Sequence, residues 1–150
     1  MPPVKDAKRS DLEDILDIET ASHKKPWDKN AFKCEFSKQS AGINIFIVCS
    51  DGENGRLTGY ACGNIVADYV HIINITTSPA FRRKGAASSM LRHMEGEAFR
   101  RGLGSLTLEV AASNEAALSL YKKHGFAAVS RREKAIDNTE DEIIMWKKLF

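Results

Sequence analysis

The sequence predicts one mixed α/β domain. Its 150 residues have an ordinary globular composition. Their apolar positions switch repeatedly between alternation and helical spacing, and turn residues separate the segments. A chain of this length is the size of a single domain, here 1–150, and is long enough to bury a core.

Ser10-x-x-Glu13 has the form of a capping box, opening a helix with Leu12, Ile15 and Leu16 on its inner face. The periodicity falters at Ile18 and Glu19, and the helix is expected to end near His23. Pro26-Trp27 interrupts, and Asp28 caps a second helix that carries Phe32 and Phe36 four residues apart. From Ile43 to Val48 the pattern is that of a largely buried strand. Asp51-Gly52-Glu53-Asn54-Gly55 supplies turn chemistry, and Leu57 to Ile65 is the hairpin partner. A further strand runs from Tyr69 to Thr77 and stops at Ser78-Pro79. The clearest helix follows, with Ala87, Met90, Leu91, Met94 and Ala98 on one stripe and Gly102 at its C-terminal cap. Ser105 to Val110 is a strand with Leu106, Leu108 and Val110 on one face and Thr107 and Glu109 on the other. Asn114 caps a short helix containing Leu118 and Tyr121, which Gly125 ends. Phe126 to Lys134 and Glu142 to Lys148 close the chain as strands, joined around Asp137-Asn138-Thr139. The order is β-α-α-β-β-β-α-β-α-β-β.

Composition excludes several function classes. A formal charge of +2 is too small for bulk nucleic-acid affinity, so no direct nucleic-acid partner is expected. Three basic runs stand out, Arg82-Arg83-Lys84, Arg100-Arg101 and Arg131-Arg132, and solvated surface charge accounts for two of them. Cys34, Cys49 and Cys62 lack disulfide or zinc spacing and are expected to be small buried hydrophobes. His23, His71, His93 and His124 show no metal spacing, so no metal is expected; His124, beside Gly125, suits a helix C-terminus. Met1 to Asp6 has no apolar stretch after its charges, and no apolar run approaches the ~18 residues of a membrane span. A soluble, cytoplasmic protein without a membrane partner is expected.

Strand, proline, basic glycine-containing turn and strong helix together make an anion site. The first-turn amides of a helix have no intrahelical partners, and its dipole places partial positive charge there. Gly85 and the small Ala86 and Ala87 admit a phosphate to the backbone, while Arg82, Arg83 and Lys84 add charge. A basic helix start with small residues for packing is the alternative. The G-x-x-x-x-G-K-[ST] and G-x-G-x-x-G loops are absent here.

Arg82-x-x-Gly85-x-Ala87 resembles motif A of the GNAT superfamily, [QR]-x-x-G-x-[GA] at a helix start. A second block, Leu108-Glu109-Val110, Asn114, Ala117, Leu120-Tyr121 and Gly125-Phe126, is similar to the family's downstream pattern. With Pro26-Trp27 near the front, the chain looks most like the ribosomal-protein-alanine N-acetyltransferase (RimI) branch. The resemblance covers nearly the whole chain. It implies the GNAT fold, a single domain with a mixed, mostly antiparallel central sheet flanked by helices, and transfer of an acetyl group from acetyl-CoA to an amine.

Such transfer needs a held cofactor, a neutral amine, a stabilised oxyanion and a proton for the departing thiolate. By resemblance the pantetheine arm lies along the backbone of Ile75, Thr76 and Thr77, on a strand that carries a bulge in the family; nothing in the sequence shows one. Arg82, Arg83, Lys84, Gly85, Ala86, Ala87 and Ser88 correspond to the pyrophosphate loop. Asn114 matches a residue bonding the pantetheine, and is equally a helix cap. Tyr121 matches the general acid near the cofactor sulfur, and Glu109 the general base. A ring packed on the sheet and a solvated strand carboxylate are the plain alternatives. Trp27 shapes an acceptor pocket or staples two helices.

An α-amine with pKa near 8 is about a tenth neutral at pH 7, against well under a thousandth for lysine. A single carboxylate suits the first, so a protein N-terminus is the expected acceptor; the resemblance implies alanine on a small-subunit ribosomal protein. Enzymes of this kind commonly carry a Tyr-Tyr pair after G-F. Here the segment is Arg131-Arg132-Glu133-Lys134-Ala135-Ile136, without tyrosine, which leaves small amines and lysine side chains open. A non-catalytic CoA-binding module and a basic RNA-docking surface are the rivals from other classes.

Overall fold

The computed structural model describes residues 1–52, 55–137 and 139–150. Glu53, Asn54 and Asn138, parts of the two expected turns, lie outside the described residues. The elements are β1 (Val4–Asp6), α1 (Leu12–Ser22), α2 (Lys29–Ser40), β2 (Asn44–Ser50), β3 (Leu57–Val66), β4 (Tyr69–Thr77), α3 (Ala86–Arg100), β5 (Ser105–Ala111), α4 (Glu115–Lys123), β6 (Ala127–Ile136) and β7 (Glu140–Lys148). They form one sheet in the order β1-β2-β3-β4-β5-β7-β6. Only the β4–β5 pair is parallel. Two short crossings therefore dominate the topology: α3 carries the chain from β4 to β5, and β7 returns to lie between β5 and β6.

The sheet is covered on both faces. Met90, Leu91, Met94 and Ala98 of α3 pack against Ile45, Ile47, Val70, Ile72, Leu106 and Leu108. On the opposite face α1 and α2 bring Ile15, Ile18, Phe32 and Phe36 onto Phe46, Val48, Tyr60 and Cys62. Helices on both sides explain why β2 is buried along its whole length and reads as a continuous apolar run. Close approach of α3 is set by Gly63, where a Cβ would stand 2.6 Å from Val70 Cγ1 and 2.9 Å from Met94 Sδ.

Several local expectations are corrected. The Ser10-x-x-Glu13 box does not form. Residues Arg9–Asp11 make a 3-10 turn whose Asp11 carboxylate takes the Lys8 amide at 2.8 Å, so α1 starts only at Leu12. Glu13 instead meets Lys29 Nζ at 3.0 Å. Cys34 is exposed, because it lies two residues from both Phe32 and Phe36 and so faces away from them on α2; Cys49 and Cys62 are buried. In the first turn of α3 the inner positions go to Ala86 and Ser89, and Ala87 is only half-buried. Asp28 does cap α2, accepting the Ala31 amide at 2.9 Å. No helix among the described residues is long and apolar enough to cross a membrane.

Candidate active site

The parallel ladder between β4 and β5 is short, running from Tyr69 opposite Ser105 to Ile72 opposite Leu108. Beyond it the strands part. β4 continues to Thr77 against β3, and β5 continues to Ala111 against β7. A cleft of about 210 Å³ opens between them, with Ile75, Glu109, Asn114 and Tyr121 among its lining residues.

The parting starts at an irregularity that the sequence did not reveal. Cys62 pairs with Asn74 and Gly63 with Ile72, so Ile73 is an extra residue on β4. Such a bulge leaves its extra residue outside the ladder and re-aims the strand. Ile73 and Asn74 consequently line the cleft on one side and a second cavity, of about 420 Å³, on the other. The two cavities meet at the bulge.

The basic loop follows β4. Gly85 caps α3 in a left-handed conformation, φ +87°, and Arg83 also has positive φ, +63°. The first helical bond is Ser89 N–H to Gly85 O, 2.9 Å, which leaves the Ala86, Ala87 and Ser88 amides without intrahelical partners. Arg82, Arg83 and Lys84 are exposed beside them. Ala86 belongs to the core, and its contribution to the loop is backbone only. Ser88 Oγ lies 2.9 Å from His124 Nε2. At this helix end burial lowers the His124 pKa, and Arg92, Lys147 and Lys123 lower it further. A loop of free amides and cations beside an open strand edge suits an extended ligand with a dianionic end and a peptide-like arm.

Glu109 projects from β5 on the face opposite Leu108 and Val110, as alternation requires, and is about one-third exposed. Arg132 Nη2 donates to its Oε1 at 2.5 Å, and His71 Nε2 stands 4.0 Å from the same oxygen. Tyr121, on α4, packs edge-on against Phe126 with ring centroids 5.9 Å apart. Burial raises its phenol pKa above the ordinary 10. Asn114 caps α4 by accepting the Ala117 amide at 3.2 Å, and it lines the cleft as well. The three expected arm-binding positions differ in setting. Ile75 lines the cleft, Thr77 is half-buried, and the Thr76 side chain turns towards α1, bonding Asn74 Oδ1 at 2.6 Å and His23 Nε2 at 2.9 Å.

Sequence reasoning missed Glu19. It is 1% exposed on α1, at the point where the apolar stripe falters. Its carboxylate accepts from the Trp27 amide at 2.9 Å, from the Tyr60 hydroxyl and from Asn74 Nδ2 at 3.4 Å, so it ties the α1–α2 connection to the bulge. Trp27, whose amide this carboxylate holds, faces two ways. It stacks obliquely on Phe32, centroids 5.3 Å apart, and it lines the larger cavity. Glu19→Ala removes the acceptor of the fully buried Tyr60 hydroxyl, which keeps only the Asn74 Nδ2 donor at 3.1 Å, and the acceptor of the Trp27 amide; it is expected to lower unfolding stability by about 3 kcal/mol in urea titrations. Glu19→Gln, which keeps one acceptor oxygen, should lose about a third of that. Equal stability of the alanine variant and the parent would show that the network carries no net energy.

Comparison with known proteins agrees with this architecture. Residues 12–126 match the model of the acetyltransferase (GNAT) family. The chain is 30% identical over 148 residues to the [ribosomal protein bS18]-alanine N-acetyltransferase of Escherichia coli K12, covering 97% of this chain and 96% of that one. It is 33% identical over 140 residues to the enzyme of the same name from Salmonella typhimurium LT2, with coverages of 91% and 90%. The crystal structure of the ribosomal-protein-S18-alanine N-acetyltransferase from Escherichia coli superposes with a TM-score of 0.87, at 29% identity, covering 99% and 94% of the two chains. A split between two parallel strands, a basic glycine-capped helix start and a match spanning most of the chain converge on one family: the chain belongs to the acetyltransferase (GNAT) family and is an acetyl-CoA-dependent N-acetyltransferase.

Proposed function

We propose that this enzyme acetylates the α-amine of an N-terminal alanine on a ribosomal protein of the bS18 type, with Glu109 as general base and Tyr121 as general acid. The observation that carries the chemistry is that Glu109 and Tyr121 line one cleft, and that the cleft borders the bulge at Ile73. The acceptor follows from the full-length similarity to the bacterial alanine N-acetyltransferases.

Acetyl-CoA supplies an activated acetyl thioester. The residues present fit it: the β4 edge past Ile72 is not paired with β5, and the amides of Ala86, Ala87 and Ser88 are free. Ile75 to Thr77 would hold the arm through backbone groups, Asn114 would add a side-chain contact, and Arg82 to Ser88 would hold the diphosphate. The bulge takes Ile73 out of the β3–β4 register, and a backbone N–H freed there would suit a developing oxyanion. Glu109 removes a proton from the incoming ammonium, and Tyr121 returns one to the thiolate. Desolvation raises the phenol, and it would raise a thiol in the same cleft, so burial need not widen the gap between them.

The test is competition among amines, followed by CoA release. An alanine-first bS18 peptide should exceed its N-formylated form carrying only lysine amines by about 200-fold in kcat/KM, the ratio of neutral fractions for pKa 8 and 10.4. Activity confined to spermidine or glucosamine would overturn the acceptor. A specific observation favours watching for that outcome: Arg131, in the segment without tyrosines, is already bound to Asp141 at 2.6 Å.

A further inference from the structure

A second carboxylate stands beside Glu109, next to the residues that line the cleft. β5 and β7 pair so that Glu109 faces Ile144 and Ala111 faces Glu142. Both carboxylates therefore lie on one face of the sheet as diagonal neighbours, within reach of each other. The diagonal spacing brings the two carboxyl groups close enough to share a proton. Arg132, directly opposite Glu142 on β6, reaches over β7 to donate to Glu109. On the far side His71 of β4 approaches the same Glu109 oxygen, with its Nδ1 held 2.7 Å from Thr107 Oγ1. Every strand bordering Glu109 thus contributes a titratable or charged group: His71, Glu142 and, beyond β7, Arg132.

Two touching carboxyl groups do not ionise independently, because the second charge forms against the first. Glu142 shows this. Burial raises its pKa, contact with Glu109 raises it further, and Arg132 pulls the other way. A lone glutamate near 4.3 is a poor match for an amine near 8, and a partner that helps hold the proton narrows the mismatch.

We propose that Glu142 is a positioning residue for acetyl transfer: Glu109 and Glu142 form a pair of carboxylates that takes up the ammonium proton of the acceptor and then holds it as carboxyl and carboxylate. The inference rests on Glu109 being the base. In the step an N–H bond of R–NH3+ breaks and its electron pair stays on nitrogen. The proton forms an O–H bond on Glu109, and the Glu142 carboxylate accepts a hydrogen bond from it until water carries the proton away. Nothing is oxidised or reduced. Arg132 offsets part of the rise at Glu142.

The test compares Glu142→Gln, Glu142→Asp and Glu109→Gln with the parent. Readouts are kcat on an alanine-first peptide from about pH 5 to 10, and CoA affinity by calorimetry. Glu142→Gln is expected to lose about tenfold in kcat, since a positioned base is worth ~10²–10⁴ in all and half of this one remains. Removing Glu142, whose own pKa is raised beside Glu109, should move the acid limb set by the pair down by about one pH unit. CoA affinity should stay at the parental value, and Glu142→Asp should recover both kcat and the limb. Parental kcat and an unmoved limb in Glu142→Gln, with Glu109→Gln inactive, would overturn the pair while keeping Glu109 as base. A loss that Glu142→Asp does not recover, with the limb unmoved, would assign Glu142 a structural role and overturn the pair too. A fully active Glu109→Gln would instead overturn the base itself, and the pair with it.

Discussion

Gly85→Val is expected to weaken coenzyme A binding by more than about a hundredfold while α3 and the sheet stay folded. The cause lies in the backbone. Gly85 sits at φ +87°, and a β-branched residue there is a genuine outlier, costing ~1–3 kcal/mol. Collision contributes little, because an added Cβ would meet only the Pro2 ring, at 3.6 Å. The loop would relieve the strain by leaving the left-handed region. That turns the Ala86, Ala87 and Ser88 amides away from their common focus, and with them the direction along which the helix dipole acts. Gly85→Ala, strained but not β-branched, should lose about tenfold, equivalent to ~1.4 kcal/mol. Gly102→Val is the control. It has φ +74° and open space around its Cβ, but it lies at the opposite end of α3. It should lower thermal stability and leave CoA affinity unchanged. Calorimetric titration with CoA and circular dichroism together decide the matter. Unchanged affinity in Gly85→Val, with native spectra, would remove this loop from the binding site.

What the sequence disclosed and what it hid divide along a physical line. Elements whose pattern is local were legible: Tyr69–Thr77 has the predicted bounds, α3 ends before the expected left-handed glycine, Gly102, and α4 has the expected cap at Asn114. So did the loop itself, because strand, basic turn and helix are contiguous. The bulge at Ile73 escaped, since a bulge belongs to the register between two strands and not to either strand alone. One signal was available: Gly63 sits in a strand interior next to the slip, where glycine often marks a bulge. Glu19 was visible only as a broken stripe. A carboxylate in an apolar helical face implies a buried partner, but nothing local names Tyr60, Asn74 and the Trp27 amide as the partners. The surroundings of Glu109 were beyond reach for the same reason. Arg132 and Glu142 meet it because β7 inserts between β5 and β6, and Arg131-Arg132 taken alone looks like solvated charge.

Tyr121→Phe should lower kcat by about 10²–10³-fold with little change in acetyl-CoA affinity. The ring contact with Phe126 survives the loss of the hydroxyl, so the cleft keeps its shape. On the proposed mechanism the variant lacks the proton for the departing thiolate, and a thiolate that leaves unprotonated competes to return. The pH dependence separates this role from simple packing. Burial raises the phenol above 10, so its neutral, donating form persists through pH 10 and is lost only at higher pH. Parental activity should therefore show no decline from Tyr121 ionisation below about pH 10, and any alkaline limb at lower pH must belong to another group. Glu109→Gln should cost a similar factor. If acid and base work on one transfer, the double variant should be well short of the product of the two losses, because residues acting as a unit are strongly non-additive. Fully multiplicative losses would mean that Glu109 and Tyr121 serve different steps. An unaltered kcat in Tyr121→Phe would leave the tyrosine as a wall of the cleft and require another donor for the thiolate.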